Sequence, residues 1–290
     1  MGFVFEFIGR PPTALNLMNT IRDKLVAAGW TLLWEGQDSN GNNIKYLRTA
    51  PFIMPDGSDA GSAVLELRNP VGTNHVDLKM WNGWDSQTEQ PVAPSCPNQS
   101  SGNYQRLAYS YQTIYYFIYA NEYWFALLVS NDSIGSGISG PNRFKTIAGI
   151  AVPPEGIPTA PQYKALFVAS PYNTDGSLRG AGFGTEMMIY NNRSQYDCIL
   201  ALNIATGNPT LFSWLSPPGE DFAGRYSGHP DYPPVLVPLF LASFGIMPYA
   251  MICSDTTTPI GTQFQIGNEL WVNIISGYQG HHGQIYVRIS

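Results

Sequence analysis

The sequence predicts a mainly β protein of the α+β kind, with one N-terminal amphipathic helix packed on β-sheets and sandwich or barrel-like sheets after it. Three observations predict this. Apolar residues recur at helical spacing only once, between Thr13 and Ala28. Elsewhere, short aromatic and β-branched runs are separated by segments rich in turn residues. The 29 glycines and 23 prolines among 290 residues demand many chain reversals.

The elements follow in order. After Pro11-Pro12, Thr13 suits an N-cap. Ala14, Leu17, Met18, Ile21, Leu25 and Ala28 share one helical face, Arg22, Asp23 and Lys24 occupy the other, and Gly29 suits the C′ position. Trp30 to Trp34 reads as a strand, then the turn-rich Gln37–Asn43 leads into Ile44 to Leu47. Further strands are expected at Ala63–Leu67, Val76–Met80, Gln112–Tyr119, Tyr123–Val129 and Ala165–Ala169, and beyond them at Glu186–Tyr190, Tyr196–Asn203 and Leu236–Ala242. Thr262–Ile266 and Glu269–Ile275 flank Gly267-Asn268, a two-residue hairpin turn, and Gln284–Ile289 closes the chain. The segment Tyr109–Val129 is the densest in aromatic and β-branched residues, broken at Ala120-Asn121-Glu122 into two runs of strand length. Gln90–Gly102 and Ile134–Pro141 read as exposed loops, and the loop surface expected to contact neighbouring subunits comprises Gln90–Gly102 and Ile134–Pro161. Val152–Pro161, with four prolines, marks the expected boundary between an N-terminal helix-plus-β domain (1–152) and a C-terminal β domain (153–290).

Composition bounds the function. Charged residues make up 12%, about half the usual share, while aromatics reach 13% and apolar residues 44%. That apolar content argues against disorder. A surface so poor in charge fits a protein covered by neighbouring subunits. The net charge is −6, with 15 Lys and Arg scattered singly, so no basic stripe exists for a nucleic-acid backbone. Cys96, Cys198 and Cys253 have no short spacing, which argues against a zinc or redox motif and a disulfide framework. The N-terminal decapeptide lacks a basic region and a small-residue cleavage site, so no signal peptide is expected. The best apolar run, Val235 to Cys253, is interrupted by Pro238 and Pro248, so no membrane span is expected.

No constellation declares a reaction. His281-His282 sits between glycines with no acidic third ligand nearby, and His229 lies in a Gly-His-Pro-Asp turn. Asp56 and Asp59 resemble part of a calcium loop but miss the spacing of its glutamate, so a Pro-Asp-Gly turn is the expected reading. Asp85 with Glu89, and Glu220 with Asp221, are close carboxylate pairs, but sequence spacing cannot set two carboxyls across a sugar. No nucleophile elbow or dinucleotide loop is present. The expectation is therefore no catalytic residues, no metal and no cofactor. Trp81, Trp84 and Tyr232 are the candidate glycan-stacking residues.

Three segments carry a resemblance. The helix runs into Ala-Ala-Gly-Trp-Thr-Leu-Leu-Trp and a glycine-rich loop. The middle holds Tyr-Phe-Ile-Tyr-Ala-Asn-Glu-Tyr-Trp-Phe-Ala-Leu-Leu-Val. The end holds Thr-Gln-Phe-Gln-Ile-Gly-Asn-Glu-Leu-Trp-Val-Asn-Ile, a glycine-rich loop and a terminal strand ending in Arg288. Together they cover about half the chain, and their order resembles uncharacterised virion structural proteins of tailed bacteriophages, from the neck, tail or baseplate region. The resemblance implies a non-enzymatic structural subunit, made in the bacterial cytoplasm and located in the virion. Its partners would be other virion proteins and further copies of itself. The alternative is a carbohydrate-binding or host-recognition module.

Overall fold

A computed structural model describes residues 2–53, 57, 59, 61–96, 104–108, 115–130, 143–152, 165–170, 185–191, 194–202, 236–240, 246–253, 261–275 and 284–290. The chain is mainly β with one N-terminal helix. Its elements begin with β1 (Val4–Gly9), α1 (Ala14–Ala27), β2 (Thr31–Gln37), β3 (Asn43–Arg48), β4 (Val64–Asn69), β5 (His75–Asp85), β6 (Gln90–Cys96) and β7 (Gln105–Ala108). The middle of the chain forms β8 (Tyr115–Ala120), β9 (Trp124–Ser130), β10 (Arg143–Ala151), β11 (Ala165–Ser170), β12 (Thr185–Asn191) and β13 (Ser194–Leu202). Last come β14 (Leu236–Phe240), β15 (Ile246–Cys253), β16 (Gln263–Ile266), β17 (Glu269–Ile275) and β18 (Gln284–Arg288).

The helix forms as its sequence dictates. The Thr13 hydroxyl accepts from the Asn16 amide at 3.1 Å, which satisfies one of the free donors of the first turn. At the other end the Gly29 amide donates to the Val26 carbonyl and the Trp30 amide to that of Leu25, both at 3.0 Å. This is a Schellman closure, and Gly29 adopts the left-handed φ of +104° that it requires. Ala14, Leu17, Met18, Ile21 and Leu25 are all buried.

The strands form three antiparallel sheets. A seven-stranded sheet has the order β1-β8-β9-β10-β11-β12-β13, and a five-stranded sheet β14-β15-β18-β17-β16. In the third, of order β2-β3-β4-β5-β6, the long β5 pairs along one edge with β6 at Met80–Asp85 and with β7 at His75–Leu78. The helix lies between the third sheet and the β1–β8 end of the seven-stranded one. One continuous core joins Leu17, Ile21 and Leu25 to Leu65, Leu67 and Met80 on one side, Ile118 and Phe125 on the other, and Val272 and Val287 of the five-stranded sheet. The seven-stranded sheet continues across the expected boundary at residue 152, because β10 pairs β11 from Ile147↔Ala169 to Ala151↔Ala165.

The densest aromatic segment is the β8–β9 hairpin, in register from Tyr115↔Ser130 to Ala120↔Phe125. Its turn is buried. Asn121, with no exposed surface, accepts at its side-chain carbonyl from the amides of Tyr123 (2.8 Å) and Trp124 (3.0 Å). Its side-chain amide donates to the Tyr119 hydroxyl (3.0 Å) and the Pro248 carbonyl (3.4 Å).

Two expected loops are corrected. Gln90–Gly102 begins with strand β6, where Pro91 faces Trp84 across the ladder. Proline lacks the N–H of a ladder donor, so it reads as a breaker, yet an edge strand tolerates it. Within Ile134–Pro161, Arg143–Ala151 forms the central strand β10. Its Gly149 stands opposite Trp124, where an added Cβ would lie 2.3 Å from the Trp124 Cβ, so the glycine that weakens the strand signal is required by this close approach. Strands β1 and β15, next to or containing prolines, were not anticipated either.

Two substitutions test this packing. Ile21→Asp places an unpaired charge in the core and is expected to prevent folding, read as loss of a cooperative thermal transition. Asn121→Ala removes four side-chain hydrogen bonds and strands buried partners, so urea unfolding should show a loss of about 3–5 kcal/mol.

Candidate functional site

Strand alternation separates the two faces of the third sheet. Leu65 and Leu67 of β4, and Leu78 and Met80 of β5, enter the core beneath the helix. The residues between them therefore point outward. Register then makes cross-strand rows: Tyr46, Glu66 and Lys79 form one, and Ile44, Arg68, Asp77 and Arg106 form the next.

At the centre of this outer face the Glu66 carboxylate is buried. It accepts from the Trp81 indole N–H and from the Tyr104 hydroxyl, each at 2.8 Å. The Lys79 ammonium lies 4.2 Å from the Tyr104 ring centroid and 5.3 Å from that of Trp81, a cation–π geometry that partly balances the buried anion. Burial pushes the Glu66 carboxyl above the usual carboxylate range, although the Trp81 and Tyr104 hydrogen bonds and the charges of Lys79 and Arg68 oppose it. Burial, with Glu66 nearby, likewise raises the Tyr46 and Tyr104 phenols. Arg68 donates to the Tyr104 hydroxyl (3.3 Å) and to Asp38 (3.4 Å), while its buried Nε has no hydrogen-bond partner among the described residues. Asp38 is held below its ordinary range, first by the Asn42 side-chain amide at 2.8 Å. Glu66 is buried beneath its own hydrogen-bond donors, so this network orders the sheet face.

Beside the network runs a row of half-buried aromatic rings. Trp34 of β2 lies 6.0 Å from Tyr46 of β3, and Tyr46 lies 5.1 Å from Trp84 of β5, measured between centroids. Trp84 and Trp81 thus share a face but differ in state. Trp81 is buried, with its N–H engaged by Glu66 and Lys79 over its ring. Trp84 is half-buried at the end of the row.

Tyr232, Asp56, His229, His281, His282, Glu220 and Asp221 lie outside the described residues. Asp59 accepts from the Gly61 amide at 2.6 Å and Asp85 from the Gln87 amide and Thr88 hydroxyl at 2.8 Å, so both organise their own turns. Cys96, Cys198 and Cys253 fall in β6, β13 and β15, three different strands. Among the described residues no three His, Cys, Asp or Glu side chains converge as a metal site. The sequence reading missed Trp34, Tyr46 and Tyr104. The period-two alternation of Ile44-Lys45-Tyr46 is visible in the sequence, but only the register brings Tyr46 to Trp84.

No protein-family model matches the chain, and no curated protein matches it.

The buried carboxylate generates a pH prediction. Between the ordinary carboxylate value and the raised value of Glu66, the unfolded chain has released a proton that the folded chain still holds. Stability from this group is therefore present below the ordinary value and is lost as pH rises through the raised one. Glu66→Gln removes the titration, so denaturant midpoints of the variant should fall less than wild type between mildly acidic and mildly alkaline pH. Parallel curves would show that Glu66 carries no raised pKa.

Proposed function

We propose that this protein is a non-enzymatic structural subunit of a tailed-phage virion, assembling with copies of itself and with neighbouring subunits in the neck, tail or baseplate. The order of the three segments from helix to terminal strand supports the virion reading. Assembly rests on the edges of the sheets. Three edge strands carry a large apolar side chain in solvent: Leu32 of β2 is 37% exposed, Val92 of β6 41% and Ile266 of β16 39%. Solitary proteins blunt such edges with charge, because an open edge is a template for another chain. Here β16 contains no charged residue and no proline, β2 contains one charge, Glu35, and β6 contains no charge but is interrupted by Pro91 and Pro94.

An edge of this kind accepts a strand or a flat loop from a neighbour, with main-chain hydrogen bonds supplying affinity. A heterologous contact repeated around an axis closes a ring, the geometry of a tail or neck layer. A neutral surface also spares the desolvation cost of charges when it is covered.

The test has two arms. Mass spectrometry of density-purified particles should find the chain in multiple copies, and its absence from particles overturns the virion reading. In the second arm, Leu32→Lys, Val92→Lys and Ile266→Lys should each leave stability within about 0.5 kcal/mol, while sedimentation shows loss of self-association or of incorporation. Unchanged assembly in all three removes the edges from the interface.

A further inference from the structure

We propose that the outer face of the third sheet binds a neutral oligosaccharide, its sugar rings stacking along Trp34, Tyr46 and Trp84. The inference stands apart from assembly through the edges. It starts at Gly36, where an added Cβ would lie 2.7 Å from Cζ2 and 2.8 Å from Cη2 of Trp34. The six-membered ring of the indole therefore lies over the backbone where a side chain would stand. One face of that ring is set down on the sheet and the other is turned away from it.

The row continues through Tyr46, 6.0 Å from Trp34 and tilted 47° to it, and Trp84, 5.1 Å from Tyr46 and tilted 51°, so successive rings turn and each would meet a different sugar ring. All three residues are half-buried, so the rings are fixed before a ligand arrives and little rotamer freedom is lost on binding. Amphipathic aromatic rings suit a ligand that is apolar on its ring faces and hydroxylated at its rim. Arg48, exposed two residues from Tyr46 on the same strand face, supplies a donor for such hydroxyls. Trp81 takes no part, because Lys79 and Glu66 already occupy its ring and its N–H.

Charge and spacing narrow the ligand class. Asp38 and Asp85 flank the row, and hydrogen bonds from Asn42 and Gln87 hold both ionised. The face itself balances Asp38, Glu66, Asp77 and Asp85 against Arg48, Arg68, Lys79 and Arg106, so it is the net −6 of the chain that disfavours a polyanionic glycan or a nucleic acid. A proline-rich peptide in the polyproline II form repeats every three residues, roughly 9 Å, longer than either ring spacing here.

The experiment titrates the full chain with maltohexaose, cellohexaose and chitohexaose, read by calorimetry and tryptophan fluorescence, with a polyproline decapeptide alongside. At least one oligosaccharide is expected to bind with a change in tryptophan emission. Gly36→Ala should lift the indole and weaken that binding roughly tenfold, about 1.4 kcal/mol. Gly36 is not in a left-handed conformation, and only the far end of one side chain must move, so the fold should survive. Trp84→Ala should abolish binding, and if that variant unfolds, Gly36→Ala decides alone. Failure of all three oligosaccharides at millimolar concentration, binding of the decapeptide alone, or undiminished sugar binding by folded Gly36→Ala overturns the proposal. Loss of assembly in the edge-strand lysine variants leaves this result untouched.

Discussion

Asn121 holds the architecture together. A hairpin turn ordinarily lies in water because its backbone groups have no ladder partners, and burying one leaves those groups orphaned. Here most of them are answered. The Asn121 amide donates to the Trp124 carbonyl (3.0 Å), and the Trp30 indole donates to the Asn121 carbonyl (2.6 Å). Ala50 donates to the Glu122 carbonyl (2.9 Å) and Ile150 to that of Tyr123 (3.1 Å). The side chain of Asn121 makes four more bonds, its full capacity. One turn therefore ties together the end of α1, the segment following β3, the neighbouring β10 and the kink of β15 at Pro248.

The kink shows how far the surroundings defer to this turn. The Pro248 carbonyl receives the Trp124 indole N–H at 2.6 Å as well as the Asn121 amide. The next residue, Tyr249, takes a φ of +61°, unusual for a bulky side chain. A conformation of that kind costs of order 1–3 kcal/mol and persists only where neighbours over-determine it. Those neighbours are Phe3, edge-on at 5.1 Å, Tyr123, stacked at 5.9 Å, and the Arg288 guanidinium at 5.8 Å. Strand β15 thus gives up regular geometry so that its carbonyl can serve the buried turn.

What the sequence disclosed follows the range of the interaction that decides each element. The helix was legible from Thr13 to Gly29 because its cap, stripe and closure are local. The β16–β17 hairpin was legible for the same reason, with Gly267-Asn268 at its turn. Strands β1, β6, β10 and β15 were not, since their prolines or glycines break local patterns and are tolerated only through tertiary context. For β6 that context is an edge, for β10 the backbone of Trp124, and for β15 the buried turn. The outer face of the third sheet divides likewise. Trp81 and Trp84 stood out by residue type, but nothing local shows that Glu66 claims one and Tyr46 meets the other, because that depends on the β3–β4–β5 register.

The few charges of this chain explain why its edges are left bare. Glu35 joins Lys45 and Arg22, Glu6 joins Lys24, Asp77 joins Arg106, and Glu269 joins Arg288. The charges on α1 bind it to the sheets on either side, and Lys45 is itself buried. Exposed pairs of this kind contribute little stability apiece. What they fix is the orientation of the helix and the register of the strands around it. Glu35 and Glu6 lie on the edge strands β2 and β1 but are engaged by the helix, while β6 and β16 carry no charge, where a solitary β protein uses it against edge-to-edge pairing. In the assembly proposed above, neighbours covering Leu32, Val92 and Ile266 would complete what the isolated fold leaves open.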